Sequence, residues 1–140
     1  MKISRHKQRT WAMQIMYGLD VQRAIDKENA LKEIEIKKNE ESIKEKDKNY
    51  YFEKLVLGII ENQEYIDKTI ESNAIGWHLY RMPVVDRNIL RIALYEIIDE
   101  LAIGIVINEA VELAKEFGSE KSSGFINGVL SNVHENEGDL

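Results

Sequence analysis

A single proline, Pro83, interrupts 140 residues, and only eight glycines accompany it. A chain with so few breakers is biased toward long helices. The apolar pattern agrees: Ala12, Ile15, Met16 and Leu19 step by three and four, as do Phe52, Leu55, Val56 and Ile59. No strand-period alternation persists, and no internal repeat is present. The predicted fold is all-α, a compact domain of six or seven helices, in a length that suits one domain spanning residues 1–140.

Ser4 is placed to cap a first helix running to about Gln22, with Trp11 and Tyr17 off its main apolar stripe and therefore partly exposed. Residues 26–48 differ from the rest: fifteen of 23 are charged, with mixed signs. They predict a short amphipathic helix around Leu31–Ile36 within a solvated connection. A helical pattern runs from about Tyr50 to Glu71, and residues 72–82 read as a connector. Pro83 opens a helix at its favoured first-turn position. There Leu90, Leu94, Ile97 and Leu101 form one stripe and Val85, Ile89 and Ile92 a second, as expected of a central helix packed on both flanks. Gly104 reads as a break before a helix from about Ile105 to Phe117, whose stripe is Ile107, Ala110, Val111 and Ala114. Gly118 reads as its left-handed stop. Ser119 or Ser122 then starts a last helix carrying Phe125, Val129 and Val133, and residues 134–140 read as a polar tail.

Charge is unevenly distributed. The formal net charge is −6, yet residues 1–10 carry Lys2, Arg5, Lys7 and Arg9 and no acid. The remaining 130 residues hold fifteen basic side chains against 25 acidic ones, a net of −10. A basic start on an acidic body suits a localised polyanion site that resists non-specific adsorption. A short basic start is equally compatible with no role, and composition does not separate the two.

Several chemistries are excluded. With no cysteine there is no disulfide scaffold, thiol nucleophile or thiolate metal site. His6, His78 and His134 include no pair at helical metal-ligand spacing, and His78 beside Trp77 reads as structural. Glu109, Glu112 and Glu116 share a helix face, but the Glu-x-x-His partner motif of a carboxylate metal bundle is missing, so they read as solvated. Asp86, Arg87 and Arg91 suggest a structural ion pair or a partner contact. Phosphate-binding glycine loops and nucleophile elbows are absent, and no enzyme is predicted. No apolar run approaches the length of a membrane span, and Met1–Lys7 does not lead into an apolar signal core, so a cytoplasmic protein is expected.

Three blocks carry a resemblance. Arg9-Thr-Trp-Ala12-Met-Gln14-Ile-Met-Tyr17 is one, and Asp86-Arg-Asn-Ile-Leu-Arg91-Ile-Ala-Leu-Tyr95-Glu96 is the second. The third and most specific is Ile107-Asn108-Glu109-Ala110-Val-Glu112-Leu-Ala-Lys-Glu-Phe117-Gly118, followed by Phe125-Ile-Asn127-Gly128-Val-Leu. In order and spacing these resemble the NusB family of bacterial transcription antitermination factors over essentially the whole chain, residues 26–48 excepted.

The resemblance implies two antiparallel helical subdomains, each about a three-helix unit. It implies binding of boxA RNA, a single-stranded element of ribosomal RNA operon leaders, with the small-subunit ribosomal protein NusE as partner in the RNA polymerase elongation complex. No cofactor is implied. The family's arginine-rich start maps onto Arg5, His6, Lys7 and Arg9, with Lys2 just upstream. Lysine offers a point charge where arginine offers a planar fork, so this arm is a weaker version. The turn into the last helix supplies Glu120, Lys121 and Phe125, and Lys121 replaces an acid found in some members. Phe125 and Tyr17 fit either the core or RNA, and Gln14 either a base edge or a plain helix position. For NusE the resemblance points to Asp86 and Tyr80, with Trp77 adjoining them but expected in the core. Monomer and homodimer are both compatible with the pattern. The alternative reading is a helical adaptor without specific RNA binding; an accessory domain of an RNA methyltransferase is excluded because 140 residues leave no room for its cofactor domain.

Overall fold

The computed structural model describes residues 2–45 and 49–138. Seven α-helices and one 3-10 turn make up the described residues, with no strand among them. Helix α1 is Arg5–Val21, α2 Lys27–Glu40, α3 Tyr51–Glu61 and α4 Gln63–Asn73; the 3-10 turn Leu79–Arg81 leads to α5 Val84–Ile98, α6 Ile103–Phe117 and α7 Ser122–Gly138. The first three helices pack on one another as one unit; α5, α6 and α7 form the second, with α4 laid against α5 and α7. Helix α5 touches α1, α3, α4, α6 and α7 and is the central helix that its two apolar stripes predict.

Local chemistry explains most boundaries. The Ser4 hydroxyl accepts from the Lys7 amide at 3.1 Å, and Asp26 accepts from Asn29 at 2.8 Å to start α2. Helix α2 is longer than predicted because Ala30 and Ile34 are joined on its buried face by Lys38, whose ammonium pairs with Glu53 of α3. Leu31 and Ile36 point outward instead. The last residues of the charged segment, 46–48, lie outside the described residues. The predicted run from Tyr50 to Glu71 is broken at Asn62, whose side-chain amide donates to the Gly58 carbonyl at 2.8 Å.

Two glycine assignments are corrected. Gly104 lies inside α6, and the break precedes it: Glu100 takes φ 65°, with its amide bonded to Ile97 and that of Leu101 to Glu96. This is a Schellman closure built without glycine, and Arg23 and Ser42 end α1 and α2 the same way, at φ 54° and 53°. Gly118 is extended at φ −93°, so its role is space rather than handedness. A Cβ there would meet Ser122 Oγ at 2.5 Å and the Ala114 carbonyl at 2.8 Å. The expected tail is also corrected, because α7 continues past His134 to Gly138. Asn132 of that helix donates to the Asn73 carbonyl at 3.0 Å, and Asn136 bonds the Asn73 side chain.

Trp11 is buried, not partly exposed, and meets Phe52 edge-on with centroids 5.4 Å apart. Helix α1 is covered by α2, α3 and α5, so its buried arc is wider than its main stripe suggests. Between α1 and α5, Asp20 meets Arg87, Asn88 and Arg91, while Arg9 meets Glu96, so the two helices run antiparallel. Asp20 accepts from Arg87 at 2.6 and 2.7 Å and from Arg91 at 2.8 Å; Arg91 also donates to Asp67 at 2.9 and 3.1 Å. No buried side-chain nitrogen or oxygen among the described residues lacks a partner. Such a network is tolerated in a core because every member is satisfied.

Candidate nucleic-acid interface

The basic start divides into two groups. Lys2, Arg5 and Lys7 are exposed. The Arg5 guanidinium lies 3.8 Å from the centroid of the Tyr51 ring, a cation–π arrangement that leaves its charge facing solvent. Lys2 and Lys7 have no ion-pair partner among the described residues. His6 and Arg9 are held by the protein itself. His6 sits between two carboxylates of α6, with Nε2 2.7 Å from Glu116 and Nδ1 3.5 Å from Glu109.

Arg9 is only 5% exposed. Its Nε donates to Glu96 at 2.8 Å, and its Nη1 lies 3.6 Å from Glu109. Tyr51 donates its hydroxyl to the same Glu96 carboxylate; burial first, then that bond and that charge, push the phenol well above its ordinary range. The expectation that Arg9 faces RNA is therefore corrected, because α1 is pressed against α5 at this point. The solvated face expected of Glu109, Glu112 and Glu116 holds for exposed Glu112 and Glu116, whereas Glu109 is half-buried; Glu109 and Glu116 also engage the basic arm.

Farther along α1, Gln14 and Tyr17 are exposed, and Lys7, Gln14 and Tyr17 fall on one outer face at spacings of seven and three. Arg5 leans the other way, toward α3. The connection to α7 runs from Glu116, beside His6, through Gly118 and exposed Lys121 to Phe125, four residues on. Phe125 is neither core nor free: it is half-buried, and its ring meets Trp77 edge-on with centroids 5.7 Å apart. Trp77, expected in the core, is 47% exposed. The connector that carries it turns at Gly76, whose φ of 82° suits glycine, and this turn lifts the indole off the core.

The two residues assigned to a protein partner separate. Tyr80 is 67% exposed, with the Arg87 guanidinium 5.1 Å from its ring centroid. Asp86 is 3% exposed and accepts from Ser122 Oγ at 2.7 Å, under the start of α7. Burial pushes its carboxyl above the ordinary range, and the Ser122 bond offsets only part of that. Asp86 as an exposed partner contact is thus corrected. Among the described residues, no group of three or more His, Asp or Glu side chains is placed to hold a metal ion. No helix there is long and apolar enough to cross a membrane.

Fold and surface define an all-helical protein with exposed cationic side chains at the start of α1 and an aromatic pair formed between the start of α7 and the connector before α5. The family model described as "NusB family" matches residues 6–135, and the chain belongs to that family. It is 46% identical over 131 residues to the transcription antitermination protein NusB of Halothermothrix orenii, covering 94% of this chain and 96% of that one. The corresponding protein of Bacillus thuringiensis is 41% identical over 133 residues, covering 94% and 97%. Among solved structures, T. maritima NusB superposes with a TM-score of 0.77 at 29% identity, over 100% of both chains. A NusB solved with NusE and double-stranded RNA superposes with a TM-score of 0.76 at 30% identity, over 96% of this chain and 99% of that one.

Proposed function

We propose that this chain is a transcription antitermination factor that binds single-stranded boxA RNA of ribosomal RNA operon leaders together with NusE. In that complex it helps the RNA polymerase elongation complex resist termination in the cytoplasm, without a catalytic step or cofactor. Family membership supports the reading, as does the solved assembly of a relative with NusE and RNA. The observation that carries it is the arm: Lys2, Arg5 and Lys7 are left exposed while neighbouring carboxylates are occupied by His6 and Arg9. Lys121 adds a fourth exposed cation on the turn into α7. Tyr80 is the exposed residue this reading assigns to NusE.

Fluorescence anisotropy with boxA RNA, a scrambled RNA and a duplex, each with and without NusE at two salt concentrations, tests it. Four phosphate contacts on a single strand predict a slope of log affinity against log salt of about −3. Tighter binding to boxA than to the scramble, strengthened by NusE, is the expected result. Equal, weak and salt-abolished binding to both single strands, with NusE still bound, would leave a helical adaptor that recognises a basic protein through the acidic body.

A further inference from the structure

The arm and the aromatic pair are linked through the end of α6 and the turn that leads into α7. His6 Nε2 is 2.7 Å from Glu116, two residues before Gly118, so the arm ends beside the turn that leads into α7. Along that turn Lys121 is exposed, and Phe125 follows one helical turn later on the same face. Gly124 and Gly128 flank Phe125 with open space where a Cβ would stand, so a nucleotide backbone can come close to the helix there. Nearby acids are already engaged: Glu116 by His6, and Glu71 by His78 and the Leu79 amide, which leaves Glu120 as the carboxylate on the turn itself.

From this placement we propose that Trp77 and Phe125 together form a base-stacking subsite, in which an unpaired nucleobase of the bound RNA stacks against the exposed indole. The proposal rests on the RNA-binding reading above. Phe125 braces the indole edge-on, fixing its plane in advance, and the half of Trp77 left open is ring surface of the kind that stacks bases without regard to sequence. A residue whose signal in the sequence is that of a core tryptophan thus extends the interface past Phe125 onto the 74–78 connector.

The two tryptophans make the test direct, because Trp11 is buried against Phe52 and out of reach of a ligand. Full-length protein is titrated with boxA RNA while anisotropy of the labelled RNA and tryptophan emission are followed together. Emission falls with the same midpoint as the anisotropy rise, iodide quenching of the exposed tryptophan is lost, and Trp77→Phe abolishes both signals. Trp77→Leu weakens RNA binding by about 5- to 150-fold with an unchanged salt slope, and Trp77→Phe by much less. RNA binding with no change in emission or iodide access, and Trp77→Leu within twofold of the parent, would overturn the subsite and leave the RNA-binding reading standing. An emission change produced by NusE alone, and not by RNA, would overturn it in favour of a protein contact at Trp77. No binding of any RNA would remove both the subsite and the reading beneath it.

Discussion

Arg9 and Glu96, 87 residues apart, share a buried 2.8 Å hydrogen bond that ties the start of α1 to the end of α5. A member of the basic arm is thereby made a strut of the fold, while its neighbours Arg5 and Lys7 are left exposed. Replacing one partner of a buried ion pair strands the other charge, which typically costs about 3–5 kcal/mol. Arg9→Ala is expected to destabilise by that amount in urea unfolding. Arg5→Ala, which gives up an exposed cation–π contact, is expected to cost about 0.5–1 kcal/mol and to lower the RNA salt slope by roughly one. An Arg9→Ala protein as stable as its parent would refute the assignment.

Asp20 is expected to contribute to the acid limb of stability. Burial tends to raise its carboxyl, but hydrogen bonds from Arg87 and Asn88 and the charges of Arg91 and Arg87 outweigh it, leaving it below the ordinary 3.8. A lowered folded-state value means stability that is fully present above 3.8 and lost as pH falls through the folded value. Chemical denaturation between pH 2 and 7 is expected to show that decline. In Asp20→Asn the limb flattens, and about 3–5 kcal/mol is lost at neutral pH, where two arginines lose their shared carboxylate.

Asp86 has the opposite sign. Its raised carboxyl favours the protonated folded state, so its contribution is present at low pH and fades as pH rises through the folded value. Asp86→Asn keeps an oxygen to accept from Ser122 Oγ and removes a buried charge. It is expected to raise stability at pH 7 by about 0.5–2 kcal/mol and to change it little at pH 3. Thermal melts at the two pH values decide it, and a loss at pH 7 would show that the ionised carboxylate is needed.

Gly118 has an ordinary φ but no room. Gly118→Ala would press a methyl against Ser122 and the Ala114 carbonyl, and overpacking of this kind costs about 1–3 kcal/mol. Because Ser122 also holds Asp86, the α7 start should shift as well. A larger loss of RNA affinity than of stability, compared by anisotropy and urea melts, is the expected outcome.

Helix identities were legible because each depends on neighbours within one turn: the three-and-four spacing, the Ser4 cap, Pro83 before α5 and the two stripes of α5. Boundaries were less so where the left-handed closing residue is Arg23, Ser42 or Glu100, since none of these advertises that conformation as glycine does. Gly104 and Gly118, which look like stops, occupy the first turn of α6 and a crowded extended turn. The two tryptophans exchanged expected fates for a similar reason: periodicity assigns Trp11 an angle on α1, but how wide an arc is buried depends on α2, α3 and α5 arriving around it.

By itself, then, the sequence determined an all-helical chain, the family to which it belongs and the neighbourhood of its basic arm. Only the tertiary structure decided which of those cations are available to a ligand. Helical spacing places a side chain on its own cylinder, whereas an ion pair forms only when another helix brings a carboxylate within reach. Glu96, Glu109 and Glu116 do so for Arg9 and His6 from about a hundred residues away. No carboxylate among the described residues does so for Lys2, Arg5 or Lys7, and their side chains stay exposed to solvent.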